Sequence, residues 1–309
     1  MEFVTLEEIR AARTRIEHAA VYTPLLDVGG LLLKCENLQP MGAFKIRGAF
    51  NMIAQLSADQ LKRGVITYSS GNHGQAVALA AKSLGAPAVV VMPTTAPAVK
   101  VEGCKGYGAE VIMAGTTSLD RQARAEKEAL ARGLTMVPPF DHRLIVIGQG
   151  TTGLEILEQC PDVGTVFVPA GGGGLVSGVA AAIKLSNPSV RIVAVEPAGA
   201  PKMTRSLEAG HPVTLDSSAS IADGLMNLRP GDITFAHVQK FVDEVVTVSE
   251  TEIAAAVSWL FRNARIVAEP SGAVTTAAVH LGLGHPVGQV VAIVTGGNVA
   301  PEKFAKYIA

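Results

Sequence analysis

Thr165-Val166-Phe167-Val168-Pro169-Ala170-Gly171-Gly172-Gly173-Gly174-Leu175-Val176-Ser177-Gly178-Val179-Ala180 holds three kinds of structure in one run. Thr165–Pro169 is β-branched and aromatic, the composition of a buried strand. The four glycines follow at once, and Leu175–Leu185 is rich enough in Ala, Leu and Val to continue as a helix. A strand that passes through a short loop into a helix belongs to an α/β fold with a parallel sheet. Glycine weakens a turn unless something needs the space. At a helix start, bare backbone lets N–H groups converge beside the positive end of the helix dipole, which suits a phosphate. The dinucleotide spacing G-x-G-x-x-G fails, because the sixth residue is Val176 counted from Gly171 and Ser177 counted from Gly172. No Lys-Ser or Lys-Thr follows, so it is not a P-loop. The run reads as a seat for one phosphate monoester, with a tight ligand-free turn as the alternative.

The same alternation extends outward. Strands are predicted at Leu31–Cys35, Val65–Tyr68, Ala88–Met92, Glu110–Met113, Thr135–Val137, Thr165–Pro169, Arg191–Glu196 and Val290–Val294. Helices are predicted at about Gly74–Leu84, Val99–Gly106, Leu119–Arg132, Gly150–Gln159, Leu175–Leu185, Thr251–Asn263 and Gly272–Leu281. That is enough for two mainly parallel sheets flanked by helices, with Pro138-Pro139 as a linker between them. Near the N-terminus, Thr5 with Glu8 three residues on forms a capping box for a first helix.

Composition narrows the function. The chain has 309 residues, 48% hydrophobic and 17% charged, enough for a large core. Mean hydropathy is +0.33, yet no apolar run reaches membrane-spanning length without glycine, proline or charge, so a membrane role is not expected. A net charge of −1 and no basic stripe argue against a nucleic-acid partner. Cys35, Cys104 and Cys160 are far apart and odd in number, which fits neither a disulfide framework nor a zinc site and suits a reducing cytoplasm. No apolar secretory segment opens the sequence.

Two further strands run into unusual loops. Ser69-Ser70-Gly71-Asn72-His73-Gly74 follows Val65–Tyr68 and opens a helix. Its hydroxyls and free N–H groups suit an anion such as a carboxylate, or serve as plain helix capping. Thr295-Gly296-Gly297-Asn298 follows Val290–Val294 and alone is a turn. Lys45 stands in Met41-Gly42-Ala43-Phe44-Lys45-Ile46-Arg47-Gly48. An apolar setting erodes a lysine's charge and suits Schiff-base chemistry, but local sequence alone favours a surface lysine.

Taken together these segments resemble fold-type II pyridoxal-phosphate (PLP) enzymes, in the branch of threonine/serine dehydratases and serine racemase. The resemblance is carried by the Lys45 run, SSGNHGQAVALAAKSLG (69–85), Val91-Met92-Pro93 with Lys100, PPFDH (138–142), IGQGTTGLEI (147–156), VFVPAGGGGLVSGVA (166–180), AVEP (194–197), ADG (222–224), AEPSGA (268–273) and VTGGN (294–298), all in the family's order. It implies a tryptophan-synthase-β-like fold. A large PLP-binding domain would comprise residues 1–48 and 143–309, and a small mobile domain residues 49–142. Lys45 would carry the cofactor, with Phe44 beside the ring and Asn72 at its phenolic oxygen. Gly171, Gly172, Gly173, Gly174 and the Leu175 N–H would hold the phosphate, and Thr295 would face the pyridine nitrogen. Ser69, Ser70, Gly71, Asn72 and His73 would receive the substrate carboxylate.

The implied reaction is dehydration and deamination of a small β-hydroxy amino acid, such as L-threonine or L-serine, to a 2-oxo acid and ammonia. Lys45 would remove the α-proton. A hydroxyl at 295 is not acidic enough to protonate the ring nitrogen, which favours β-elimination over transamination. The alternatives are a serine or aspartate racemase, or a dehydratase for hydroxyaspartate or phenylserine. From other classes, a nicotinamide dehydrogenase suffers from the wrong glycine spacing, and a PLP sensor from the intact Lys45 motif. Similarity to the family also suggests a homodimer.

Four departures matter. Many members have Ser where this chain has Ala43. The racemase branch has Ser where plain dehydratases often have Ala, and this chain has Ser70, whose hydroxyl would reprotonate Cα or merely cap a helix. Glu196 matches an acidic residue of the racemase branch's divalent-cation site, but its second acidic position is Lys202, so no tightly held Mg²⁺ or Ca²⁺ is expected. The chain ends eleven residues after Asn298, where isoleucine-pathway threonine deaminases carry a regulatory domain, so feedback control through such a domain is not expected.

Overall fold

The computed structural model describes residues 2–69, 71–96 and 98–309. Thr5 opens the first helix, Leu6–Ile16, with the capping box expected: its hydroxyl accepts from the Glu8 N–H while the Glu8 carboxylate accepts from the Thr5 N–H.

Ten strands are present among the described residues. In chain order they are β1 (Leu25–Val28), β2 (Leu31–Cys35), β3 (Val65–Tyr68), β4 (Ala88–Met92), β5 (Glu110–Met113), β6 (Thr135–Met136), β7 (Val163–Pro169), β8 (Arg191–Pro197), β9 (Glu244–Val248) and β10 (Gln289–Val294). They form a six-stranded sheet ordered β1-β2-β10-β7-β8-β9 and a four-stranded sheet ordered β5-β4-β3-β6. Only β1 pairs antiparallel, with β2. In the larger sheet Val166 and Val168 face one apolar layer, with Val176, Val179 and Ile183. Phe167 faces the other, with Val193, Val274 and Ala292. Both faces are covered, as parallel sheets require, which is why β7 reads as a continuous apolar run rather than an alternating one.

The eight expected strands are all present, four with the expected ends and four with ends shifted by one or two residues. Two more, β1 and β9, lie at the two edges of the larger sheet and were not foreseen. Helices Lys45–Ile53, Ala58–Arg63, Lys202–Ala209, Asp232–Phe241 and Pro301–Ile308 were also unread. The helix expected from Gly150 begins at Arg143, with His142 as its cap. The helix expected to run to Asn263 ends at Trp259 and passes into a π-helical turn, Leu260–Ala264.

Four charged side chains meet in the interior. Arg47 donates to both oxygens of Glu36, each at 2.7 Å, and to both of Glu155, at 2.6 and 2.9 Å. Lys34 donates to Glu155 at 2.6 Å and to the Thr23 carbonyl at 2.7 Å. All four are buried. Charges without water persist only when paired and hydrogen-bonded, and Arg presents a planar fork that matches two carboxylates at once. Burial pushes the Glu36 carboxyl up, but the Arg47 guanidinium and the Lys34 ammonium more than reverse it and leave it below the usual carboxylate range.

Replacing Arg47 with Met leaves Glu36 buried without its bonded cation and Glu155 with Lys34 alone, and should cost about 3–5 kcal/mol. Guanidinium unfolding of cofactor-free protein measures this, and a loss as small as a surface substitution gives would contradict it. The pH dependence has a definite sign. Glu36 has a depressed folded pKa, so its contribution is complete above its unfolded value of about 4.3 and disappears as pH falls through the folded value. Unfolding midpoints followed downward from pH 6 should show a loss in the wild type that is blunted in Glu36→Gln.

Candidate active site

The carboxyl ends of β2, β10 and β7 lie side by side, because β10 pairs with β2 on one flank and β7 on the other. In open α/β sheets this edge is where ligands bind. The segment before Lys45 docks on the tip of β10. The Phe44 N–H donates to the Thr295 carbonyl at 3.1 Å, and Ala43 bridges to Gly296. Gly42 makes that approach possible with φ +77°, and the Gly297 N–H donates to its carbonyl.

Lys45 begins helix Lys45–Ile53, and its partly buried ammonium donates to the Pro139 carbonyl at 2.7 Å. It lies 5.1 Å from the centroid of the Phe44 ring. Burial with no acidic partner lowers its pKa to about 8. The next residue, Phe140, packs its ring against Gly172, where any Cβ would overlap it, and a Cβ on Gly174 would come within 3.1 Å of Phe140 Cβ. The lysine amine and the glycine loop are therefore joined through two consecutive residues. Pro138-Pro139, expected as a linker, also forms part of the site.

The glycine loop is lined by bare backbone. Gly173 has φ +100°, and a Cβ there would sit 2.7 Å from Thr234 Cβ. Thr234 donates its hydroxyl to the Gly172 carbonyl at 2.6 Å. Helix Gly174–Ser186 starts from the loop, and the Leu175 side chain is buried in the core, so only its backbone belongs to the loop. A cradle that no Cβ can enter, at the start of a 13-residue helix, fits a phosphate. With an amine of lowered pKa nearby, these residues fit PLP.

Asn72 opens helix Asn72–Ser83. Its amide donates to Glu269 at 2.5 Å and accepts from the Asn298 amide at 2.9 Å. Asn298 also donates to the Met41 carbonyl. Glu269 precedes Pro270 at a helix start but makes no cap; its carboxyl turns to Asn72, which favours a pocket-lining acid over a helix-terminal one. Burial, and then the charge of Asp223, raise its pKa to about 7. Thr295 is buried and donates weakly to the Ser271 carbonyl at 3.3 Å.

Ser69 accepts from the Gly71 N–H at 3.1 Å. His73 is buried, and its ring contacts the Val137 carbonyl at 3.0 Å. Burial, with the nearby Lys45 charge, lowers its pKa to about 3, so it is a neutral anchor whose side chain is already engaged. Ser70 lies outside the described residues. Sequence reading missed Phe140, Thr234, Asn298 and the Lys100–Asp223 pair, which joins helix Ala98–Gly106 to the turn Asp223–Leu225 at 2.6 Å. Of these, Phe140, Asn298, Lys100 and Asp223 stood within quoted motifs and Thr234 in none, but nothing in their spacing pointed to these contacts.

The chain is 43% identical over 304 residues to an L-threonine ammonia-lyase of Thermotoga maritima, covering 96% of this chain and 76% of that one. It is 42% identical over 308 residues to a serine racemase of Oryza sativa subsp. indica, covering 95% and 91%. The solved structure of maize serine racemase superposes with a TM-score of 0.95 at 39% identity, over 99% of this chain and 97% of that one. Residues 9–296 match the family described as pyridoxal-phosphate dependent enzyme, and the chain belongs to that family.

Proposed function

We propose that the protein is an ammonia-lyase that removes water and then ammonia from a small β-hydroxy amino acid such as L-threonine or L-serine. The observation that carries this reading is the junction at Pro139-Phe140, which holds a lysine amine of lowered pKa beside a glycine cradle. The threonine ammonia-lyase relative supports the same chemistry.

When bound, PLP supplies an electron sink conjugated to the substrate's α-carbon. The chain's own residues do the rest. Lys45 is the base for the α-proton, since burial lowers its pKa to about 8 and makes the unprotonated amine far more accessible than in an exposed lysine. The backbone N–H groups of Gly171–Leu175 hold phosphate. Asn72, braced by Glu269 and Asn298, presents a fixed amide. Thr295 offers a neutral hydroxyl where a carboxylate would favour a protonated ring, and this steers toward loss of the β-hydroxyl. The N-terminus of helix Asn72–Ser83, with Ser69, Ser70, Gly71 and His73, receives the substrate carboxylate.

In this proposal residues 49–142 form a small mobile domain that closes on 1–48 and 143–309, and the Lys100–Asp223 pair is one contact across the cleft. A homodimer and a cytoplasmic location belong to the same proposal; no helix among the described residues is long and apolar enough to cross a membrane. A second reading, serine racemisation, is favoured by the 0.95 superposition on maize serine racemase. It assigns Ser70 to reprotonation of Cα.

Lys45→Ala should lose the cofactor's visible absorbance and lower 2-oxo-acid formation from L-threonine by at least about 10²-fold, the scale of a lost general base. Retained turnover would reject the assignment. Uptake of PLP by cofactor-free protein needs the unprotonated amine, so its rate should rise with pH through about 8; a flat profile from pH 6 to 9 contradicts the lowered pKa. A pH–rate limb near 7 should belong to Glu269 and vanish in Glu269→Gln. Chiral analysis of residual L-serine after partial turnover decides the second reading. D-serine that disappears in Ser70→Ala supports it, and unchanged enantiomeric purity removes it.

A further inference from the structure

Lys202 is fully buried at the first position of helix Lys202–Ala209. Its ammonium donates to the carbonyls of Ala170 at 2.9 Å, Leu225 at 3.0 Å and Ala200 at 3.1 Å. The Glu196 carboxylate lies 3.2 Å away. Three backbone carbonyls and one carboxylate are the oxygen set that a hard cation takes. Here an amine occupies its centre. A divalent ion would need those oxygens at about 2.3–2.6 Å, where the Nζ already stands, so a metal at Glu196 does not fit this chain.

The four oxygens come from places that matter to the site. Ala170 immediately precedes Gly171 at the end of β7. Leu225 ends the turn Asp223–Leu225, which packs on the glycine loop: a Cβ on Gly171 would lie 3.2 Å from the Gly224 carbonyl and 3.3 Å from Leu225 Cδ2. The same turn donates from Gly224 N to the Ser271 hydroxyl and pairs Asp223 with Lys100. Glu196 in turn accepts from the Met203 and Thr204 N–H groups and the Thr204 hydroxyl, which anchors the start of the helix. Met203 Cε would lie 3.3 Å from a Cβ on Gly173.

We propose that Lys202 is a tethered internal cation. Its ammonium fixes the glycine loop and the 223–225 turn as a bound metal ion would, so the protein retains its cofactor without any divalent cation. Lys202 is a positioning residue, and the proposal rests on loop 171–174 being the phosphate seat. Removing the charge alone would leave the Glu196 carboxylate buried and unpaired, so the informative variant is Lys202→Met combined with Glu196→Gln.

The test uses purified holoenzyme and reads calorimetric titration with Ca²⁺ and Mg²⁺, PLP affinity by titration of cofactor-depleted protein, and thermal midpoint. Wild type should give no binding heat with either ion and should keep its cofactor through EDTA dialysis. The double variant should melt near the wild type yet bind PLP about tenfold or more weakly, an effect of about 1.4 kcal/mol. It should regain most of its turnover at saturating PLP. Stoichiometric Ca²⁺ or Mg²⁺ binding that improves cofactor retention in wild type overturns the proposal, as does unchanged PLP affinity in a folded double variant. If the double variant does not fold, the wild-type titration decides alone. Failure of wild type to bind PLP at all would instead sink the functional reading, while the calorimetry still reports on Lys202.

Discussion

The pairing of Arg47 with Glu36 and Glu155 is the constraint on which the site depends. Glu36 follows β2 directly, Glu155 lies on the helix Arg143–Gln159, and Arg47 sits in the first turn of the helix that begins at Lys45. A helix turns about 100° per residue, so residues two apart point to roughly opposite sides. With the guanidinium locked between two buried carboxylates, Lys45 is directed away from the cluster, toward Pro139. A lysine on a helix free to rotate would sample water and keep its ordinary pKa. Fixed on the inner side it loses hydration, and the lowered pKa follows from that alone.

The segment 139–142 then ties the lysine to the rest of the site. Pro139 accepts from Lys45, and Phe140 covers Gly172 and Gly174. Asp141 accepts from the N–H groups of Asp232, Ile233 and Thr234 at the start of their helix. His142 accepts from the Leu144 N–H and caps the helix that carries Glu155. Four consecutive residues thus touch the amine, the glycine loop, the helix that buttresses that loop through Thr234, and the helix that holds the ion cluster. The two ends of the cofactor site are positioned by one short stretch of chain.

Much of this was legible before any coordinates, and what was not has physical causes. The interior strands announced themselves because burial on both faces demands continuous apolar, β-branched runs. The edge strands β1 and β9 are mostly half-buried; β1 is short and interrupted by Asp27, while the β-branched run Val245–Val248 of β9 did carry the signal and went unread. The helix at Arg143 was expected to start only at Gly150, and Gly148 and Gly150 are both poor helix formers. In the fold they are contact points: a Cβ on Gly148 would meet the Arg47 carbonyl at 2.6 Å, and one on Gly150 the Gly178 carbonyl at 3.0 Å. Glycine tolerated for close helix packing and glycine that ends a helix look the same in a single sequence. The tetraglycine was read as a phosphate seat from its own residues, while the roles of Lys45 and Asn72 came through a resemblance. The residues that hold them, Phe140, Thr234 and Asn298, act through distances that only folding reveals.

The chemistry itself is set by a single physical effect acting in two directions. Burial penalises whichever form of a group is charged, so it lowers an amine's pKa and raises a carboxyl's. Lys45 and Glu269 start far apart on the pH scale and arrive near 8 and near 7. Neither has a strong opposite charge bonded to it to undo the shift: Lys45 donates to a carbonyl, and Glu269 accepts from an amide. Contrast Arg47, which is buried more completely than Lys45 but sits on two carboxylates that hold its charge in place. The protein thus separates its buried ionisable groups by the partners it gives them. At Arg47 and Glu36 charged partners hold the ionised form, while at Lys45 and Glu269 neutral partners leave the effect of burial in place and bring proton exchange toward neutral pH, which is what acid–base catalysis requires.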